Sequence, residues 1–384
     1  MRVAFSLGGT DLGRSGLGVW VREVLPRLTA MLAGSGDSLV VLGEPGELLA
    51  YQSVLGSADR VRMPPSFGVA ALSALTFLGT VGRVARRAGA DVLLLPAANR
   101  RVTAFSPIPV VAVVHDFANF RVPGQSDPLR NAYRRLLVLR ALRSATEIVT
   151  VSSATRRDLT SLLGPDAPDM HVVPNGVDTS RFAACAPEDP LVAEARTRVG
   201  LSDPYVLYPA RLEHPQKNHL RLVAAFARSE ACSGHQLALC GADWGAQQLV
   251  EREITQRRLD SRVRLLGFVS DEDLPLLVAG ASAIAMVGLH EGFGLPALEA
   301  LAAGRPVVAS ETGALPEVVG SLGVLCDPTS ERSIADALDR ALRDLQLRDR
   351  CVREGPTRAG TFCWDNTARG ILAACHRARN RGRG

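Results

Sequence analysis

The chain has 384 residues, of which 47% are apolar and 22% charged, enough for two hydrophobic cores and too apolar for a disordered chain. A formal charge of only +5 points to no nucleic-acid partner. The cations are lopsided all the same: of 44 lysines and arginines, Lys217 is the one lysine.

Taken in order, short apolar and β-branched runs at residues 2–7, 38–43, 91–95, 109–114 and 147–152 alternate with longer stretches of helical period. The run 2–7 begins at once, with no basic, apolar and cleavage regions ahead of it, so no secretion signal is expected. Residues 67–82 are uncharged but interrupted, and too few for the roughly 20 that a membrane helix needs. After a Pro-rich stretch the alternation restarts at 205–208, 236–240, 263–266, 282–287 and 306–310. The reading is α/β: an N-terminal Rossmann-like domain over 1–185, a linker over 186–204, a C-terminal Rossmann-like domain over 205–362, and a helix with a basic, frayed tail over 363–384. Open sheets of this kind bind ligands at the carboxyl ends of their strands, so two such domains suggest a two-substrate cleft. Seven scattered cysteines without a C-x-x-C pair suit a reducing cytoplasm.

The loop after 205–208 carries Arg211 and Lys217 and leads into a helix at His219. Helix-terminal amides, a compact ammonium and a forked guanidinium together suit a diphosphate. A single lysine is ordinarily a solvated loop cation, but in a chain that uses arginine everywhere else this one marks a position where a planar guanidinium does not serve. The segment after 282–287 carries Glu291, Gly292, Phe293, Gly294, Leu295, Pro296 and Glu299, and its helix ends at Gly304. The glycines keep side chains off outward-pointing amides, and two carboxylates flank the turn as acceptors for hydroxyls. Glu299 alone would be explained by its place in the first turns of a helix.

At Glu291 and Glu299 the E-x7-E spacing resembles the retaining glycosyltransferases of family 4, which have the GT-B fold. The resemblance runs nearly the length of the chain, through residues 15–18, His115 and Asp116, residues 150–153, the segment 173–178 with Asn175, and residues 267–271. It implies two facing Rossmann-like domains with the C-terminal helix packed back on the first. It further implies that Arg211 and Lys217 bind the donor diphosphate and stabilise the leaving nucleotide. Glu299 would hold the ribose and Glu291 the sugar hydroxyls. The amides of Phe293, Gly294 and Leu295 would meet the sugar or phosphate, and the backbone of Gly267 and Phe268 the base. Asn175 falls among the donor contacts. Gly16 and Gly18 would bring amides to the diphosphate from the first domain, with Ser15 a departure from the family's paired glycines. His115 would touch the donor sugar and Asp116 the acceptor or His115 itself; a strand-end histidine has a structural reading too.

No residue stands out as a covalent nucleophile, which implies retention through a front-face, ion-pair-like transition state. Asp271, Glu272 and Asp273 spell D-x-D but follow Ser270 and precede an apolar helix, so they read as an N-terminal cap and no metal or other cofactor is expected. The implied donor is a nucleotide-diphosphate sugar, mannose- or rhamnose-like and GDP- or dTDP-linked in preference to UDP. The acceptor is a saccharide or a polyprenyl-linked sugar in cell-surface polysaccharide or glycolipid assembly, with a small-molecule metabolite as the alternative acceptor. The basic amphipathic stretch 129–143 reads as a solvated cationic face, and with 67–82 and the basic tail it keeps peripheral contact with an anionic membrane in view. Among rivals, an NAD-dependent dehydrogenase lacks its third glycine, since Val21 stands there; a nucleotide-sugar epimerase would act without an acceptor; a silent binding subunit would not keep all five of His115, Arg211, Lys217, Glu291 and Glu299.

Overall fold

The computed structural model describes residues 1–382 apart from 14, 65–69, 118, 119, 121, 123–131, 133, 166, 187 and 188. The chain divides into two compact units, one drawn from residues 1–117 and 126–176 together with the C-terminal segment from Trp364, the other mainly from 177–363.

The first unit is built on a parallel sheet in the order β3-β2-β1-β4-β5-β6-β7. Its strands are β1 (Arg2–Ser6), β2 (Ser38–Gly43), β3 (Asp59–Arg62), β4 (Val92–Leu95), β5 (Val110–Val114), β6 (Glu147–Thr150) and β7 (Met170–Val172). The second has the order β10-β9-β8-β11-β12-β13, with β8 (Tyr205–Pro209), β9 (Gln236–Cys240), β10 (Val263–Gly267), β11 (Ala283–Met286), β12 (Val307–Ser310) and β13 (Gly323–Cys326). In each sheet the order reverses beside the first strand, between β1 and β4 and between β8 and β11. The loops that follow those strands part there and leave a crevice.

The central strands are buried on both faces, which is why they read as unbroken apolar runs. Three strands escaped that reading, and all three are sheet edges: β3, β7 and β13. β3 spells Asp-Arg-Val-Arg and is mostly exposed, as an edge that must not recruit another strand tends to be.

The Pro-rich stretch expected as an irregular linker holds a helix, Pro190–Arg198, whose Asp189 side chain accepts from the Leu191 amide at 2.8 Å. Pro190 opens that helix, where a missing N–H costs nothing, and the helix packs on another, Asp273–Gly280. Residues 177–204 therefore belong to the second unit and not to the end of the first.

The C-terminal helix Trp364–Arg381 lies on the first unit, burying Trp364, Ala368, Ile371, Cys375 and Ala378 along one stripe. Gly370 lets Val173 approach: a Cβ there would stand 2.7 Å from the valine. The tail expected to fray is helical through Arg381, because Arg377 and Arg381 reach the buried Glu147 carboxylate at 3.1 and 3.0 Å. Within the basic stretch 129–143, residues 129–131 and 133 fall outside the described ones. Arg134–Val138 form a π-helical turn that runs on into a helix, Leu139–Arg143, with Val138, Leu139 and Leu142 buried. Residues 67–69 of the apolar stretch are likewise outside, and a helix covers Ala70–Arg87. Among the described residues no helix is long and apolar enough to cross a membrane. All seven cysteines are free thiols.

Candidate functional site

The crevice of the second sheet opens between the loop after β8 and the loop after β11, and an ion pair bridges it. Lys217 Nζ stands 2.7 Å from Glu291 Oε1, with side-chain exposures of 14% and 11%. Desolvated to that degree, neither charge is tolerable without the other. Backbone contacts hold the loops in register, with the Leu289 amide donating to the Gln216 carbonyl at 2.8 Å. Asn218, in the left-handed region at φ 59°, spans the crevice with its side-chain amide, donating to the carbonyls of Val287 at 2.9 Å and Pro328 at 2.7 Å. The buried Tyr208 hydroxyl donates to the Lys217 carbonyl at 2.6 Å.

A third loop, after β12, braces Glu291 from behind. The Ala314 amide donates to the Glu291 carbonyl at 2.9 Å, Thr312 Oγ1 to the Leu289 carbonyl at 2.9 Å, and Ser310 Oγ to the Gly288 carbonyl at 2.6 Å. Gly313 sits at φ 65°, and a Cβ there would lie 2.3 Å from the Glu291 carbonyl oxygen, so two separate constraints select glycine.

Arg211 lies on the rim of the same unit. Its Nε donates to Glu213 at 2.7 Å and its guanidinium lies over the Trp244 ring, 4.4 Å from the centroid. Its two terminal nitrogens meet no acceptor among the described residues. After β11, Gly294 precedes the helix Leu295–Ala302 at φ 91°, where a Cβ would strike Leu315 at 2.5 Å. The amides of Phe293, Gly294 and Leu295 donate to no protein acceptor among the described residues, which leaves the positive end of the helix open. The Phe293 ring is buried edge-to-face on Phe362 at 5.9 Å, a packing role beside the open amide.

Glu299 is half-buried on that helix, and its carboxyl has no hydrogen-bond partner among the described residues. Burial pushes its carboxyl up to about 7, against the pull of Arg181 and with the push of Asp271. Arg181 is held by Asp271, donating to its carbonyl at 2.8 Å and its carboxylate at 3.3 Å. Ser270 Oγ accepts from the Asp273 amide at 3.0 Å, and Asp273 is paired with Arg198 at 2.5 Å, so Ser270 satisfies the amide at the helix start while Asp271 and Asp273 bind arginines. Gly267 has φ 66° with open space around it, and Phe268 beside it is 78% exposed.

In the first unit His115 follows β5. Its Nε2 lies 2.9 Å from the Pro96 carbonyl, and a carbonyl only accepts, so Nε2 carries the proton and Nδ1 is left as an acceptor. Burial takes the imidazole down to about 4, with Asp116 opposing that fall, and the ring is therefore neutral near pH 7. It stands edge-on to the buried Trp20 at 5.5 Å. A neutral ring with an open Nδ1 accepts a hydrogen bond from a hydroxyl and offers no charge to a phosphate.

Gly16 opens the helix Gly16–Gly34, and its amide meets no acceptor among the described residues. Gly18 requires a correction: its amide is spent on the Ser15 carbonyl at 2.8 Å, and a Cβ would lie 2.4 Å from Gly13 Cα. It is a packing glycine and has no N–H to offer a diphosphate. The first crevice, between the loops after β1 and β4, is also bridged by an ion pair, Asp11 with Arg100, and Ser15 Oγ donates to the same carboxylate at 3.1 Å. Asn175 follows β7, is 4% exposed, and its Oδ1 has no partner among the described residues.

Sequence reasoning missed Glu213, Trp244, Arg181 and the loop Ser310–Ala314. None belongs to a spaced motif; Glu213 lies two residues after Arg211 in the same loop, and the others are tied to the site only through the fold. The doubly wound repeat itself was the available signal, since it marks every loop after a strand as a candidate.

Two family models match the chain: "Glycosyltransferase Family 4" over residues 15–181 and "Glycosyl transferases group 1" over 194–358. O-antigen chain mannosyltransferase B of Escherichia coli is 31% identical over 258 residues, 67% of this chain and 67% of that protein. MMP alpha-(1->4)-mannosyltransferase of Mycolicibacterium hassiacum is 32% identical over 243 residues, 62% of this chain and 56% of its own length. Among solved structures, Anabaena HepE in complex with UDP and glucose superposes with a TM-score of 0.76 at 19% identity, covering 97% of this chain and 98% of that one. WaaG, a glycosyltransferase involved in lipopolysaccharide biosynthesis, gives 0.72 at 16% identity, over 97% and 99%.

Proposed function

The chain belongs to the family 4 glycosyltransferases and has the GT-B fold, and on that premise we propose that it moves a hexose, mannose- or rhamnose-like, from a nucleotide-diphosphate sugar to a saccharide or polyprenyl-linked acceptor in cell-surface polysaccharide or glycolipid assembly. The mannosyl choice rests on the two mannosyltransferase relatives. The donor site rests on one observation: at the switch point of the second sheet, Lys217, the terminal nitrogens of Arg211 and three open amides stand on neighbouring loops. Fixed donors of that kind stabilise negative charge as it builds on the departing diphosphate.

In this reading Lys217 and Arg211 take the diphosphate without a metal ion, Glu299 accepts from the ribose, and Glu291 accepts from sugar hydroxyls through the oxygen that Lys217 leaves. Glu291 makes a poor covalent nucleophile because its carboxylate is engaged by the ammonium. The bond from the anomeric carbon to phosphate therefore breaks as the acceptor oxygen attacks the same face, and the acceptor's proton passes to the leaving phosphate oxygen. His115 meets a sugar hydroxyl at Nδ1.

The test incubates the purified chain with GDP-, dTDP- and UDP-sugars and a panel of saccharide acceptors, following the product anomer by NMR. Transfer with the donor's configuration kept, undiminished by EDTA, is the expected result. An inverted product would overturn the front-face mechanism, loss of activity in chelator with recovery in manganese would overturn metal independence, and interconversion of sugars without acceptor would replace transfer by epimerisation. Thermal shift against the nucleoside diphosphates identifies the base, and indifference to all of them would remove the donor site altogether.

A further inference from the structure

Trp244 belongs to no motif, and its setting gives it a task. The loop that carries it, after β9, is fastened to the Arg211 loop by two backbone hydrogen bonds, Leu212 amide to Ala242 carbonyl and Trp244 amide to Leu212 carbonyl, both 2.9 Å. Asp243 ties the loop to itself by accepting from the amides of Gly245 at 2.8 Å and of Ala246 and Gln247 at 3.0 Å. The backbone under the indole is thus fixed on both sides. The indole itself is 48% exposed, a large apolar surface left open to water.

Over that ring lies the Arg211 guanidinium, 4.4 Å from the centroid, with Nε on Glu213. Nε is thereby engaged and the indole lies against the guanidinium, while the terminal nitrogens meet no acceptor among the described residues. A long arginine side chain has many rotamers to lose on meeting a ligand, and a flat aromatic support removes that loss beforehand. We propose that Trp244 is the positioning residue for Arg211 at the donor diphosphate: its face fixes the plane of the guanidinium so that both terminal nitrogens reach the phosphate oxygens together. This rests on the donor site proposed above. The role belongs to the π face and not to apolar bulk, so phenylalanine supplies most of it and leucine does not.

The experiment measures GDP, dTDP and UDP affinity by calorimetry for the wild type, Trp244→Leu, Trp244→Phe, Arg211→Ala and the double variant Trp244→Leu/Arg211→Ala, with circular dichroism and melting curves for each. Trp244→Leu should weaken the preferred nucleotide by about tenfold with the fold intact, Trp244→Phe should recover most of the loss, and in the Arg211→Ala background Trp244→Leu should change little. Trp20 and Trp364 are 1% and 4% exposed, so the change in tryptophan emission on binding should come from Trp244 and vanish in Trp244→Phe. A Trp244→Leu variant that binds like the wild type, or one whose loss is undiminished without Arg211, would overturn the inference while leaving the donor site standing. A wild type that binds none of the three nucleotides would instead remove the donor site, and the inference with it.

Discussion

Both sheets reverse their strand order beside the first strand, and in both an ion pair joins the two loops that part there: Lys217 with Glu291 in the second unit, Arg100 with Asp11 in the first. The same topology thus carries a bridge of opposite charges at the same position twice. The surroundings differ. The second bridge is 14% and 11% exposed and is braced by Asn218, by the Ala314 amide on Glu291 and by the room that Gly288 and Gly313 leave. The first is 27% and 25% exposed, and beside it the Ser15 hydroxyl shares the Asp11 carboxylate. A buried pair depends on both members and on the backbone under them, whereas a half-exposed pair has water as a substitute partner. The difference suits a donor site that recognises one invariant diphosphate on the second unit, with the first left free to vary.

The comparison breaks most readily at Lys217. Replacing it by alanine strands the Glu291 carboxylate and removes a charge from the proposed diphosphate site, so kcat should fall by roughly 10² to 10³ while the melting curve keeps its single transition. Lys217→Arg should fail nearly as badly, because the space beside Glu291 is already tight: a Cβ at Gly288 would lie 2.8 Å from its Oε1. Full activity in Lys217→Arg would make the chain's one lysine an accident of composition.

Next in size is Gly313→Ala, which tests whether the third loop is needed. An L-residue at φ 65° costs about 1–2 kcal/mol before any contact is counted, and the Cβ would also strike the Glu291 carbonyl oxygen. A lowered denaturant midpoint with a parallel loss of transfer is expected. Unchanged transfer would separate the brace from the site.

Glu299→Gln sharpens the comparison through pH. The Glu299 carboxyl titrates near 7 in the folded chain and near 4.5 unfolded, so the folded state holds the extra proton between those values. Its contribution to stability is fully present below about 4.5 and is lost as pH rises through about 7. Between pH 5 and 8 the wild type should lose melting temperature relative to Glu299→Gln. Nucleoside diphosphate affinity should move the other way, rising toward pH 8 as the carboxylate proposed to accept from the ribose ionises, and the variant should flatten both profiles. Parallel profiles for the two proteins would show that Glu299 titrates elsewhere.

The sequence exposed what is local or compositional. Buried strands β1, β2, β4, β5, β6, β8, β9, β11 and β12 announce themselves as apolar runs, as does the edge strand β10 through its leucines, and Lys217, Glu291 and Glu299 stand out by rarity and spacing. Edge strands such as β3 lack the apolar run because one side is in water, and the helix at Pro190 hides behind its own proline. Arg181, Trp244 and Gly313 come from loops 90, 33 and 22 residues from Asp271, Arg211 and Glu291 in the chain, joined to them only by sheet order. Gly18 misled for a different reason: glycine before a helix signals either an open amide or a close backbone contact, and here Gly13 made it the second.

The smallest effect is the most telling for the comparison. Arg100→Ala removes the cation from the first bridge, yet Asp11 keeps the Ser15 hydroxyl at 3.1 Å and a quarter of its side chain in water. Little is orphaned, so stability should change by no more than about 1 kcal/mol. Nucleoside diphosphate affinity should stay within about twofold, because the charges proposed for the diphosphate all lie on the second unit and the neutral His115 adds none. Calorimetric titration of Arg100→Ala beside Lys217→Ala reads both at once. A tenfold loss in the Arg100 variant would move part of the charge of the proposed donor site onto the first crevice and make the two bridges partners in one task.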